Sequence, residues 1–199
     1  MLARLEAYLR DLPGGLDAYP AVEQKAAVYH TFMDKHLRIA DHADRLPPVV
    51  RALVERPAPL NTWIPEAHAT AFYMALADVF FPEDTAFVAF AQRKNRELLE
   101  SVVYRVLFKL LSPARVAVGG AARWHTFHRG GVDLAITIAP DRNEADVSMS
   151  FPPMLVNPLM ARCYATAFTA AIEAAGAVGP GFEMTESTST TARFHGRWR

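Results

Sequence analysis

Residues 132–151 read VDLAITIAPDRNEADVSMSF, and this stretch decides the fold class of the 199-residue chain. Apolar side chains alternate with polar or small ones from Val132 to Ile138 and again from Asp146 to Phe151. A period of two is typical of a β-strand, because successive side chains point to opposite faces of the sheet. The segment PDRN at 140–143 is rich in turn formers, so the two runs are predicted to form an antiparallel hairpin.

Further strand-like segments flank this hairpin. Upstream, Arg123 to His128 is predicted to be a strand that turns at Gly130-Gly131, which gives a three-stranded meander over residues 121–151. Downstream, residues 158–175 have the spacing of a helix, and residues 181–198 are predicted to add a hairpin to the same sheet. The C-terminal part is therefore predicted to be a small antiparallel sheet of four to five strands, with one helix inserted between its hairpins.

The first half of the chain shows apolar residues at helical spacing instead of a period of two. The predicted helices, separated by prolines and glycines, cover residues 2–12, 22–37, 69–81 and 85–111. Residues 43–65 are predicted to be a packed connector in which 49–56 can make at most two turns of helix. The segment from Ala69 to Phe81 is apolar nearly all round, which predicts a helix buried on most sides. The fold class is accordingly α+β, with a helical N-terminal half packed on the sheet. We expect one domain, with its helical part at 1–118 and its sheet and inserted helix at 119–199.

Composition and charge limit the partners of the chain. Hydrophobic residues make up 51% of it and charged residues 21%, which is ordinary for a globular protein. Because 21 basic residues balance 21 acidic ones, no overall field favours nucleic acid or an anionic membrane. The single cysteine, Cys163, excludes an intrachain disulfide, and no apolar run is typical of a signal peptide or a membrane span. We expect a cytoplasmic protein with no nucleic-acid or membrane partner.

The seven histidines do not combine into a metal site in the sequence. His125 and His128 are three residues apart on a predicted strand, so their side chains would point to opposite faces. His30, His36 and His42 are six residues apart, and on a helix this spacing sends successive side chains far apart around the axis. No HExxH motif occurs, and no metal is expected.

The candidate catalytic groups have simpler explanations. His30 and Asp34 lie four residues apart and could pair as an oriented general base, but a surface ion pair explains them. Cys163 lies on an apolar helix, where a cysteine behaves as a small hydrophobic residue. Glu66 begins a predicted helix, where the helix dipole favours a carboxylate. With no nucleophile elbow and no glycine-rich phosphate loop, we expect a protein that is not an enzyme.

Several segments resemble, in order and spacing, a family of myxobacterial paralogues of similar length. They are GLDAYPAVEQKAAVY (15–29), WIPEA (63–67), YRVLFKLLSPARV (104–116), Trp124, FHRGG (127–131), FPPML (151–155) and a last strand ending in Trp198. Together they cover nearly the whole chain. This resemblance implies no function.

The order of elements is also similar to that of the haem nitric-oxide/oxygen-binding sensor domains and of the vinyl-reductase-like small-molecule-binding domains. In those domains a helical half precedes a four-stranded antiparallel sheet with a helix between its hairpins. The haem sensors carry a histidine ligand on the long helix before an SPARV-like segment, and placing that segment on Ser112 to Val116 puts Ser101 at the ligand position. Their Tyr-x-Ser-x-Arg motif for the haem propionates does not occur in this sequence. The resemblance therefore implies the fold without the haem, and no cofactor is expected.

In the resembled sensors the cofactor lies in the gap between the helices and the sheet, which implies where a ligand would bind. The predicted ligand-binding residues are Phe72, Leu76, Tyr104, Phe108, Trp124 and Met154. Twelve phenylalanines and three tryptophans favour a reduced pocket over a large one.

We expect a non-catalytic sensory or regulatory domain that acts in signalling. It would contain no haem. It would bind a small apolar ligand or a protein partner, and the partner could be a second copy of the chain. Two alternatives remain open. One is a protein-interaction or structural module with a filled core, and the other is an enzyme that uses scattered residues.

Overall fold

The structure of the chain, a computed structural model, describes residues 2–101, 105, 111–139 and 143–199. The helices are α1 (Ala3–Asp11), α2 (Ala26–Phe32), α3 (Pro48–Glu55), α4 (Glu66–Phe80), α5 (Asp84–Glu100), α6 (Pro113–Val118), α7 (Gly120–Trp124) and α8 (Pro158–Ala174). The strands are β1 (Glu23–Lys25), β2 (Trp63–Pro65), β3 (His128–Arg129), β4 (Asp133–Ala139), β5 (Glu144–Ser150), β6 (Gly181–Ser187) and β7 (Thr191–Arg197). Short 3-10 helices cover Gly15–Asp17 and Ile39–Arg45.

The C-terminal strands form an antiparallel sheet in the order β4-β5-β7-β6, and α8 connects its two hairpins. The register places Val147 of β5 between Ile136 of β4 and Phe194 of β7. One face of the sheet is buried because alternate side chains point inward, among them Val147, Met149, Ala192 and Phe194. The predicted α+β class, the hairpin at 181–198 and the helix between the hairpins are confirmed.

The predicted strand from Arg123 to His128 is wrong, because α7 occupies its first residues. The Trp124 indole N–H donates to the Val132 carbonyl at 2.7 Å, and this bond folds the segment back towards β4 instead of extending it alongside. β3 begins only at His128, and it pairs with β1. The predicted meander over residues 121–151 therefore contributes two strands to the main sheet, not three.

β1 interrupts the helix that was predicted over residues 22–37. Its three residues pair with β2 on one side and with β3 on the other, which gives a second antiparallel sheet in the order β2-β1-β3. The chain becomes helical only at Ala26, whose amide donates to the Thr62 carbonyl at 2.9 Å. A strand this short has no detectable period, so distant backbone partners decide its conformation.

The two longest helices of the N-terminal half are α4 and α5. α4 confirms the predicted buried helix, since every side chain from Ala69 to Ala77 is buried. α5 ends at Glu100 instead of continuing to Leu111, because Ser101 has an extended backbone with a ψ of 153°. Residues 102–104 and 106–110 of the predicted continuation lie outside the described residues. None of the helices in the part of the chain that the structure describes has both the length and the apolar character of a bilayer span.

Ion pairs connect α1 to α4 and α5. The Arg4 guanidinium lies 3.3 Å from the Asp78 carboxylate and 2.9 Å from that of Asp84. Asp84 also pairs with Arg162 of α8. The two arginines lower the pKa of Asp84 although its burial opposes them, so the carboxylate stays charged between helices α1, α5 and α8.

Candidate functional site

A cavity of about 130 Å³ lies between the helices and β4, at the place where α5, α7 and α8 approach each other. Its described lining is mostly apolar and comes from both halves of the chain: Gln24, Val28, Phe32, Tyr73, Asn95, Leu98, Leu99, Val116, Gly120, Arg123, Trp124, Phe127, His128, Leu134, Ile136, Met160, Cys163, Tyr164, Ala167, Phe168 and Ala171. Because regular elements supply most of these side chains, the fold itself holds the cavity in shape.

α8 forms the longest wall of the cavity. Its lining residues recur at the three- and four-residue spacing of a single helix face: Met160, Cys163, Tyr164, Ala167, Phe168 and Ala171. The side chain of Asn157 caps the helix by accepting a hydrogen bond from the Met160 amide at 2.9 Å. Two positions on this face are alanines, and these short side chains leave space where larger ones would fill the gap.

A second cavity of about 50 Å³ lies between α8 and the sheet. It shares part of its wall with the first cavity, namely Val116, Gly120, Ile136, Phe168 and Ala171. The Phe168 ring contacts Trp124 and Phe194, at centroid distances of 5.9 Å and 5.1 Å. Aromatic packing therefore divides the gap between the helices and the sheet into two small spaces.

One end of the larger cavity meets a polar network centred on Glu66, whose side chain is fully buried. Oε1 of Glu66 accepts a hydrogen bond from the Tyr164 hydroxyl at 2.7 Å and another from the Gln24 amide at 3.2 Å. Oε2 of Glu66 lies 3.0 Å from Nδ1 of His128. The Tyr73 hydroxyl donates to Oε1 of Gln24 at 2.5 Å. Every member of the network except Glu66 itself lines the cavity.

The side chains around Glu66 are groups that can donate hydrogen bonds to it. Burial, followed by the Glu66 charge, raises the pKa of Tyr164 well above its usual range, so the hydroxyl keeps its proton and donates it. Burial likewise raises the pKa of Tyr73. An ionised Glu66 accepts only, and in that state Nδ1 of His128 carries the proton of their hydrogen bond. Nε2 of His128 is left on the other edge of the ring, and no described residue forms a hydrogen bond with it.

Aromatic rings fix the orientation of His128. The Trp124 ring stacks on the imidazole, with centroids 3.9 Å apart and planes at 11°. The Tyr164 ring meets both of them edge-on, at 5.4 Å from Trp124 and 5.6 Å from His128. Trp124 is itself held by its bond to the Val132 carbonyl. The imidazole is therefore an oriented group in the cavity wall.

Three of the predicted ligand-binding residues can be compared directly with this cavity. Trp124 lines it. Phe72 and Leu76 are fully buried on α4 and are not among the described lining residues. Tyr73, the residue after Phe72, does line the cavity. The Phe72 ring packs edge-on against Tyr29 at a centroid distance of 5.8 Å, on the side of α4 that meets α2.

The other three predicted residues are not among the described lining. Met154 lies half-buried in the loop after β5, where its amide donates to the Ser189 carbonyl at 2.7 Å. Its φ of 62° belongs to the left-handed region. Tyr104 and Phe108 lie outside the described residues.

The candidate catalytic residues named from the sequence have the following partners and surroundings. The predicted ion pair between His30 and Asp34 is wrong, since Asp34 pairs with Lys94 at 2.8 Å and His30 bonds to the Ala58 carbonyl. The hydrogen bond from Lys94 lowers the pKa of Asp34. Burial raises the pKa of Cys163, which disfavours the thiolate. Within the described ranges, no three His, Cys, Asp or Glu side chains come together as metal ligands.

The fold is similar to that of solved H-NOX domains. A structure from a study of haem distortion in the H-NOX family aligns with a TM-score of 0.58 and 8% identity, over 88% of this chain and 95% of that chain. An oxygen-binding H-NOX domain related to soluble guanylate cyclases, in its oxygen complex, aligns with a TM-score of 0.53 and 7% identity, over 87% and 92%. A third structure, from work on the molecular mechanism of H-NOX activation, aligns with a TM-score of 0.53 and 7% identity, over 87% of this chain and 94% of that chain. No protein-family model and no curated protein matches the chain.

At sequence identities this low, the alignments show a similarity of fold and nothing more. The chain has an H-NOX-like fold, and the resemblance in fold to the haem sensors is confirmed. The resemblance to the myxobacterial paralogues stays a prediction.

The described residues around the gap do not fit a haem group. Pockets for drug-sized ligands measure about 300–1,000 Å³, and a porphyrin is larger than most such ligands, whereas the cavity here measures about 130 Å³. Ser101, at the position that the resemblance implies for the iron ligand, carries a hydroxyl, which is not among the usual haem ligands. His128 also borders the gap, but the cavity beside it is too small for a porphyrin.

Proposed function

We propose that the chain is a haem-free sensory or regulatory domain that binds a small apolar ligand between its helices and its sheet. The observation that carries the proposal is the largely apolar cavity of about 130 Å³. It lies in the gap that holds the cofactor of the resembled haem sensors. A module with a filled core, the main alternative, would leave no such space.

The volume of the cavity limits the size of the ligand. An engineered apolar cavity of about 150 Å³ in another protein stays dry and binds benzene. The cavity here is slightly smaller, at about 130 Å³. A molecule of one ring is therefore the largest ligand that the space accepts without rearrangement.

Filling the cavity from α8 should abolish binding. In wild-type protein, benzene at ten times its dissociation constant should add about 1.4 kcal/mol of stability and raise the melting temperature by about 3–6 °C. Ala167→Leu places three further carbon atoms in the cavity wall, so the rise should disappear. Ala171→Leu fills the same wall one turn later and should act alike. Differential scanning calorimetry with and without benzene measures each rise.

The matched control is Ala89→Leu, which adds the same atoms to the exposed face of α5. It should keep the full response to benzene. The proposal fails if wild-type protein shows no rise at any benzene concentration that leaves it folded. It also fails if both filled variants respond as the wild type does.

We expect the purified protein to be colourless and to stay free of haem when haem is added. The reason is the small volume of the gap together with Ser101 at the implied ligand position. Absorption spectra after purification with added haem provide the measurement. A Soret band that is lost on substitution of one histidine, with His128→Ala as the first variant to examine, would contradict this expectation.

A further inference from the structure

We propose that the ligand is an uncharged molecule of one ring that carries one hydroxyl group, and that the hydroxyl binds Nε2 of His128. This inference rests on the proposed function, because it concerns the same cavity. It adds the chemical group that the cavity recognises and the residue that recognises it.

Within the described part of the wall, Nε2 of His128 forms no hydrogen bond to a described residue. His128 is 97% buried, since only 3% of its surface is exposed. Nδ1 points at Glu66, which lies outside the cavity lining, and the two ring nitrogens point in diverging directions. Because Glu66 occupies the Nδ1 edge, the proposal places the opposite edge, which carries Nε2, towards the cavity.

The other polar side chains of the wall are already engaged with protein atoms. Tyr73 donates to Gln24, and Tyr164 donates to Glu66. Asn95 donates to the Thr166 hydroxyl at 3.0 Å, and Arg123 donates to backbone carbonyls at the end of α6. A polar atom on the ligand can bind Nε2 of His128, because Glu66 and the stacked Trp124 ring hold the imidazole in one orientation.

A hydroxyl group suits this partner in either protonation state of the imidazole. It donates to Nε2 when the ring is neutral and accepts from Nε2–H when the ring is protonated. An anionic ligand would bring a second negative charge close to the buried carboxylate of Glu66, which is costly in a region of low dielectric. A cationic ligand would lose its hydration in a lining that is mostly apolar.

The ring of such a ligand would contact apolar and aromatic side chains. Ile136 and Leu134 of β4 form one side of the cavity, and Phe168 and the alanines of α8 form the other. Aromatic and aliphatic surfaces of this kind bind a ring by burial alone. The hydroxyl would then fix which end of the ring faces His128.

The test compares phenol with toluene, which have nearly the same shape and differ by a hydroxyl in place of a methyl group. In a cavity that offers no partner, phenol binds more weakly than toluene because its hydroxyl loses its hydrogen bonds to water. One good hydrogen bond reverses this order, and we expect phenol to bind wild-type protein up to about tenfold more tightly. Isothermal titration calorimetry at neutral pH measures both affinities, with benzoate as the anionic comparison.

The second readout is the ¹⁵N NMR shift of the histidine rings in the same titrations. The Nε2 signal of His128, assigned by its absence in His128→Gln, should move with phenol and stay in place with toluene. The signals of His125 and His195, whose side chains are 53% and 42% exposed and are not among the described cavity lining, serve as internal controls.

The outcomes separate this inference from the proposed function. Tighter binding of phenol together with a shift at Nε2 of His128 supports both. Binding of toluene at least as tight as that of phenol, tighter binding of benzoate, or phenol binding without that shift overturns the inference and leaves the ligand-binding proposal intact. Absence of binding by all three compounds overturns both.

Discussion

Glu66→Ala should lower the free energy of unfolding by about 3–5 kcal/mol, because removing one partner of a buried charged network leaves the others without theirs. The Tyr164 hydroxyl, the Gln24 amide and Nδ1 of His128 all point at this carboxylate. Each would become a buried donor without an acceptor, which costs about 1–3 kcal/mol per group where water cannot replace the lost bond. Urea unfolding at neutral pH measures the change.

The matched control is Glu6→Ala on the exposed side of α1, which should change stability by less than about 0.5 kcal/mol. Tyr164→Phe removes a single hydrogen bond of the network and should fall between the two variants. A cost for Glu66→Ala no larger than that of Glu6→Ala would mean that Glu66 is not the centre of a buried network.

Phe72→Ala should also cost about 3–5 kcal/mol of unfolding free energy, since a fully buried ring leaves a cavity that the core closes only in part. The Phe72 ring packs against Tyr29 and Tyr73 between α2 and α4. Because the described lining of the cavity does not contain Phe72, the affinity of benzene at the cavity-lining methyl groups should stay unchanged. Urea unfolding and a benzene titration followed by methyl NMR give the two quantities.

The companion variant is Phe80→Ala at the last turn of α4, where the ring is only half-buried and the cost should be smaller. The prediction from the sequence, that Phe72 belongs to the ligand site, makes the opposite forecast for Phe72→Ala. If Phe72 lined the ligand site, Phe72→Ala would clearly change the affinity of the cavity for benzene, as measured from the methyl signals, and would lower the stability only slightly. That result would contradict the packing described here.

The sequence predicted the elements whose pattern is local. The alternation in residues 132–151 and 181–198 identified both hairpins, and helical spacing identified α8 between them. The buried helix α4 followed from its unbroken apolar character. Such patterns predict structure well because the spacing of apolar residues reflects which face of a helix or strand is buried.

The predicted conformations are wrong where contacts outside the segment decide the backbone conformation. β1 is only three residues long and exists because β2 and β3 pair with it on both sides. The helical α7 replaces a predicted strand because Trp124 bonds back to Val132. Neither contact leaves a periodic signal in its own segment, so propensity gave the wrong conformation.

The sequence did not indicate the polar network beside the cavity, for the same reason. Glu66 was correctly placed at the start of a helix, but the helix dipole was an incomplete explanation for it. Gln24 and His128 reach Glu66 because the strand pairing of β1 and β3 brings residues from distant segments together. An unpatterned Gln or His in a sequence carries no sign of such a partner.

A titration of wild-type protein with benzene, followed by ¹³C methyl NMR, tests the central claim most directly. Ile136 and Val116 line the cavity, whereas Val118 and Val178 are exposed by 73% and 66% and serve as controls within the same sample. Our account predicts saturable shifts of the Ile136 and Val116 methyl signals with one shared dissociation constant, while the signals of Val118 and Val178 stay in place. Unchanged signals at Ile136 and Val116 up to saturating benzene would show that the gap is closed to ligands and would contradict the account.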